Sequence, residues 1–197
     1  MTFLFAASFF CQLFIAGLSL ILVIVAFFML ILLSIVSFYA FEHVQKRIMA
    51  FIDPSADQYQ INLSLDAFKS GGFFGKGPGQ GILKEKIPDS NTDFIFAVAG
   101  EELGFVFCSI IIILILILIT RLLIRLLKYE DPYKIIAVVG LTSSFGLQSL
   151  INIFSTLGII PTKGMTLPFI SYGGSSMLSS AILFGFLIAL TKKRERV

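Results

Sequence analysis

The chain has 197 residues, of which 57% are hydrophobic and 14% charged, with a mean hydropathy of +0.96 and a formal net charge of +3. A soluble domain of this length exposes too much surface to carry that ratio. The basic residues stand between apolar runs and form no patch, so no nucleic acid is expected among the partners.

Residues 1–41 contain no charged side chain. A span needs roughly 20 apolar residues, so two spans are predicted, over 3–17 and 18–40, with the break at Gly17. The first is short for a span, and tilted, interfacial or truncated placement are all open. Met1 leads directly into apolar sequence without a basic segment, so no cleavable signal peptide is expected. Residues 42–102 differ in kind: they hold 9 of the 12 acids and 6 of the 15 bases. Asp53-Pro54 and the glycine-rich stretch from Gly71 to Gly81 predict a long polar loop, with a short amphipathic helix over 58–68. Loops of this length are functional or disordered, and the aromatic and glycine content favours function.

A third span is predicted over 103–120, its helix starting near Asp93. A fourth is predicted over 135–157 and a fifth over 167–191, followed by a basic tail over 192–197. The expected organisation is one all-α integral membrane domain of about five transmembrane helices, divided as 1–41, 42–102, 103–191 and 192–197. The connection between the third and fourth spans and the tail carry eight basic residues, which places both in the cytoplasm and the long loop outside. Five spans then put the N-terminus outside, so the sequence is expected to be part of a larger protein.

Cys11 and Cys108 lie inside apolar runs without ligand spacing, and His43 stands alone. Neither a disulfide nor a cysteine or histidine metal site is expected. Carboxylates are the better candidates. Asp93, Glu101 and Glu102 flank or enter an apolar helix, where ionisable groups are costly and tend to be functional. On a helical wheel Asp93, Ala97, Gly100 and Gly104 fall within about 60° of each other. That face allows close helix approach or leaves a groove for a lipid chain. Asp93 is equally readable as a helix cap, among Ser90, Asn91 and Thr92, and Glu101 and Glu102 as surface ion-pair partners. The glycine-rich stretch is no P-loop, since Lys76 is followed by Gly77. It is either a flexible turn or a backbone cradle near a phosphate, with Lys76, Lys84 and Lys86 supplying charge. A second cluster runs from Pro161-Thr162-Lys163-Gly164 to Pro168 and Ser171-Tyr172-Gly173-Gly174-Ser175-Ser176. Its proline and glycine pair interrupt a span, as a kinked helix or as a broken helix beside a wet cavity. Lys163 alone reads as a snorkelling lysine.

At these two clusters the sequence resembles the SEDS family (shape, elongation, division and sporulation proteins), and within it the cell-division branch. The resemblance rests on Gly75-Lys76-Gly77-Pro78-Gly79 through Ile87-Pro88-Asp89-Ser90-Asn91-Thr92-Asp93, on Gly100-Glu101-Glu102-Leu103-Gly104, and on the Pro161–Ser176 run. Asn91 stands where the family usually has histidine. The resemblance implies the C-terminal half of a ten-helix fold. It also implies a peptidoglycan glycosyltransferase that polymerises lipid II with inversion during septal wall synthesis. Asp93 matches the family's essential acid, as general base or ligand of a divalent cation (Mg or Mn), with no organic cofactor. Lys163, Glu101, Glu102, Lys76 and Ser171 are substrate-binding candidates. Expected partners are lipid II, membrane lipids, a penicillin-binding transpeptidase and other division proteins, at the septum of a bacterial inner membrane. The alternatives are a lipid II flippase and a non-catalytic portion of a split or decayed gene.

Overall fold

Apolar runs in this chain meet the bilayer's demand that backbone groups be bonded internally by forming helices. The computed structural model describes residues 2–52, 59–127, 129–161 and 164–192. Among them there is no strand. The helices are α1 (Thr2–Ile15), α2 (Leu20–Ala40), α3 (Glu42–Ile52), α4 (Tyr59–Gly71), α5 (Ile95–Leu126), α6 (Pro132–Thr156) and α7 (Gly174–Thr191), with a 3-10 turn at Leu83–Glu85.

Four of these, α2, α5, α6 and α7, are long and apolar enough to cross a membrane. The first predicted span is only 14 residues, roughly 21 Å of helix, so the five expected spans become four and one short apolar helix. The last span also starts later than predicted, at Gly174 and not near 167. Pro168, the left-handed Phe169 (φ 65°) and the Gly173-Gly174 pair keep the preceding residues out of the helix. The amphipathic helix expected over 58–68 is present as α4. Residues 53–58, with the Asp53-Pro54 pair of the expected polar loop, and the basic tail from 193 onward lie outside the described residues.

Packing divides the molecule unevenly. At one end of the bundle Leu126, Val138, Val139 and Leu187 form a buried cluster, and the Tyr129 hydroxyl donates to the Thr191 carbonyl at 2.7 Å. That bond brings the α5–α6 connection beside the end of α7. In the middle Cys108, Ile111 and Ile153 pack with Phe96 and Leu167. At the opposite end α4 lies across the start of α5. Ala67 is fully buried there, and the Phe68 and Phe96 rings sit 5.7 Å apart. By contrast, the apolar stretch of α2 has no residue buried inside the protein.

Candidate functional site

The N-terminal part of α5 is broken at Gly104, whose φ of 78° and ψ of −178° suit glycine alone. A break at this depth frees backbone groups, and the glycine-rich segment takes them up. The Phe105 and Val106 amides donate to the Gly72 and Phe73 carbonyls at 2.9 and 3.2 Å. The Lys76 and Gly77 amides donate to the Glu101 and Glu102 carbonyls at 3.0 and 2.9 Å. Gly71 makes the close approach possible, because a methyl there would collide with the Gly100 carbonyl oxygen. This geometry selects close approach over a lipid groove for the small-residue face, and it corrects the reading of the glycine-rich stretch. The face of Ala97, Gly100 and Gly104 is covered by α4 and the 72–77 strand of loop, and is no groove for a lipid chain. The glycine-rich stretch is a clasp on a broken helix, with these amides already bonded to protein.

Glu101 and Glu102 complete the clasp. The Glu101 side chain is inaccessible, with Lys76 Nζ 3.1 Å from Oε1. The Ile82 and Leu83 amides donate to Oε1 at 3.0 and 3.2 Å, and the Leu83 and Lys84 amides to Oε2 at 3.1 and 3.2 Å. These are the first amides of the 3-10 turn, a natural seat for an anion. Glu102 accepts from Lys84 Nζ at 2.6 Å and from the Gly79 amide at 2.9 Å. Both carboxylates therefore fasten the loop to α5, and Lys76 is held by Glu101.

Asp93 is built differently. It sits on a turn before α5, not within the helix. The turn is bonded on both sides. Toward the loop, the Thr92, Asp93 and Phe94 amides all donate to the Asp89 carbonyl at 3.1, 3.1 and 3.3 Å. Toward the bundle, three consecutive carbonyls each accept one bond. Asn91 O accepts from the Tyr172 amide at 2.9 Å, Thr92 O from the Ser171 hydroxyl at 2.5 Å, and Asp93 O from Asn152 Nδ2 at 2.8 Å. Ser171 Oγ also accepts from the Leu167 amide at 2.7 Å, so this buried hydroxyl is bonded on both sides within the protein.

The Asp93 carboxylate itself is partly buried, and among the described residues no donor is bonded to it. Burial raises its pKa above the ordinary aspartate value, and the nearby Asp89 charge raises it further. A methyl at Gly164 would lie 3.2 Å from Asp93 Oδ2, so the loop before α7 runs directly beside the acid. Gly164 also lines a cavity of about 530 Å³ that is mixed in character: Ser144, Gln148, Thr166, Ser175, Ser176, Ser179 and Ser180 share its wall with Leu4, Phe5, Leu141, Phe145, Pro168 and Leu183. Lys163 lies outside the described residues. Among them, no three histidine, cysteine or acidic side chains cluster to hold a metal.

Gln148 and Asn152 are the residues that reading the sequence missed. They lie one turn apart on α6, and each donates to the loop: Gln148 to the Thr166 carbonyl at 3.0 Å and Asn152 to that of Met165 at 2.5 Å. The available signal was a pair of amide side chains at i and i+4 in an otherwise apolar span, which membranes tolerate only when bonded.

A bundle of apolar helices with a partly buried acid beside a cavity of mixed lining defines a multi-pass membrane protein with a candidate site at one end. Over residues 1–196 the chain matches the family described as cell cycle protein, which groups FtsW, RodA and SpoVE, and it belongs to that family. It is 46% identical, over 80% of its length, to the probable peptidoglycan glycosyltransferase FtsW of Caulobacter vibrioides, of which it covers 41%. It is 38% identical over 80% of its length to the protein of the same name in Aliivibrio salmonicida, covering 42% of it. It is 37% identical over 83% of its length to the peptidoglycan glycosyltransferase RodA of Mycobacterium tuberculosis, covering 35% of it. The chain thus spans less than half the length of these relatives. Its fold is shared with a chain of a solved structure described as structural coordination of polymerization and crosslinking by a peptidoglycan synthase complex. That chain is 24% identical, with a TM-score of 0.71, over 95% of this chain and 54% of the other.

Proposed function

We propose that this protein polymerises lipid II into peptidoglycan strands at the division septum of a bacterial inner membrane, beside a penicillin-binding transpeptidase and other division proteins. The reading is supported by the names of its relatives and by the synthase complex that shares its fold. The observation that carries it is Asp93: a carboxylate with no bonded donor among the described residues, on a fixed turn beside Gly164, which lines a neighbouring cavity.

In the reaction an acceptor sugar hydroxyl attacks the anomeric carbon of the lipid-linked donor. The new C–O bond forms as the bond to pyrophosphate breaks, with inversion. Asp93 takes the hydroxyl proton, and the lipid pyrophosphate leaves with the electron pair. A positioned base of this kind contributes about 10²–10⁴-fold, and burial strengthens Asp93 as a base. Lys163, beside Gly164 in the sequence, would supply positive charge for the leaving pyrophosphate in this reading. A divalent cation (Mg or Mn) fits if Asp93 supplies one ligand and phosphate oxygens others; when bound it would neutralise leaving-group charge. Glu101, Glu102 and Lys76 order the loop in place of contacting substrate, and Ser171 holds the turn.

A second reading, passage of the lipid-linked precursor across the bilayer, is favoured by the cavity among α1, α6 and α7, whose wall joins serines to leucine and phenylalanine side chains. Protein purified from native membranes separates the two. With Asp93→Asn, glycan synthesis from lipid II should fall at least a hundredfold while any transport of a fluorescent lipid II across vesicles persists. Polymerisation at the normal rate would remove Asp93 from the mechanism.

A further inference from the structure

We infer that Asn152 is a positioning residue for Asp93, coupling the acid's turn to the loop before α7 through one side-chain amide; this rests on the reading of Asp93 as the base. Asn152 is 1% exposed and sits on α6, remote in sequence from both segments it holds. Its Nδ2 donates to the Asp93 carbonyl at 2.8 Å and to the Met165 carbonyl at 2.5 Å. Both hydrogens of the amide are thereby used, one on each segment. A planar amide fixes the angle between its two acceptors, so neither segment can shift without breaking a bond or moving the other.

The second half of the same side chain shows how specific this use is. Asn152 Oδ1 is buried and has no bonded partner among the described residues. An orphaned buried acceptor costs about 1–3 kcal/mol, so packing alone favours an apolar residue at this point of a membrane helix. What an apolar residue cannot do is hold the Asp93 peptide against the Met165 loop. Ser171 performs the parallel task one residue earlier, joining Thr92 O to the Leu167 amide. The acid's turn is therefore pinned at two successive carbonyls by side chains belonging to two different elements, and a misplacement of about 1 Å near reacting atoms costs on the order of 10²-fold.

The test uses protein purified from native membranes, with Asn152→Asp and Asn152→Leu assayed beside Asp93→Asn. Each Asn152 variant that folds should lower kcat for glycan synthesis at least tenfold, with KM for lipid II within twofold. Wild-type kcat in either folded variant overturns the inference, as does a loss that appears in KM with kcat unchanged. If neither variant folds, Ser171→Ala decides: a fall in kcat at constant KM supports the pinned turn, and an unchanged kcat refutes it. Asp93→Asn separates the two levels. An inactive Asp93→Asn beside a fully active Asn152→Asp sinks the positioning role alone, whereas an active Asp93→Asn sinks the reading on which it stands.

Discussion

Glu101 and Asp93 are eight residues apart and occupy the same end of α5, yet their surroundings differ in every respect. Glu101 is sealed in, with a lysine and three backbone amides around its two oxygens. Asp93 is partly open, has a like charge nearby in Asp89, and among the described residues has no donor at its carboxylate. A carboxylate saturated by donors has its chemistry used up in holding structure. One whose backbone is pinned while its oxygens stay free keeps its chemistry for something else. The contrast also separates the two breaks in the helices. The one at Gly104 is closed over by the 72–77 segment, whereas the one before Gly174 opens on a cavity walled by serines and by apolar side chains.

The largest expected effect tests the free acid. Asp93→Asn should reduce polymerisation by about 10²–10⁴-fold and leave the protein at least as stable as wild type at neutral pH. The sign follows from the raised pKa. Between the unfolded and the folded value the native state binds more protons, so stability falls as pH rises through that window and stays lower above it. Removing the charge relieves that penalty, and thermal melting in detergent would show it. Glu101→Ala should do the reverse. Stripping a buried carboxylate from its partners costs roughly 3–5 kcal/mol, so melting should drop steeply and activity fail only because the loop is lost. Should Glu101→Ala instead melt normally and lose activity, the contrast between the two acids would be wrong.

Smaller effects sharpen the same comparison. Gly104→Ala forces a side chain into a glycine-only conformation and against the Gly75 amide, and should destabilise by about 3 kcal/mol. Asp89→Asn removes the like charge near Asp93. The acidic limb of the pH–rate profile, which should lie above the ordinary aspartate range, ought to move toward lower pH while the rate at high pH is unchanged. Lys69→Ala breaks an exposed pair with Asp66 and should change stability by less than about 0.5 kcal/mol.

Much of this end of the molecule could be read in the sequence because its signals are local. Apolar runs gave the spans, Pro168 and Gly173-Gly174 gave the interruption before α7, and Asp93 stood out as an acid at the head of an apolar helix. The clasp could not be read, because it depends on pairing Gly71 with Gly100 and Lys76 with Glu101 across the loop. The wheel that placed Asp93 and Gly104 on one helical face assumed an unbroken helix, and Gly104's positive φ breaks it. Asn152 was invisible for a related reason. A single amide in α6 carries no mark of its partners at Asp93 and Met165, which are 59 and 13 residues away.

The 32 residues of α5 carry a dimensional consequence. At 1.5 Å per residue the helix is roughly 48 Å long, against about 30 Å of hydrocarbon. The part from 104 to 126 is already enough to cross, at roughly 35 Å. The turns from 95 to 103 lie beyond the Gly104 break and carry the Asp93 turn at their start. The acid's distance from the spanning part is thus set by about two helical turns and a clasped kink, so adding or deleting one turn there would move Asp93 by roughly 5 Å relative to that part.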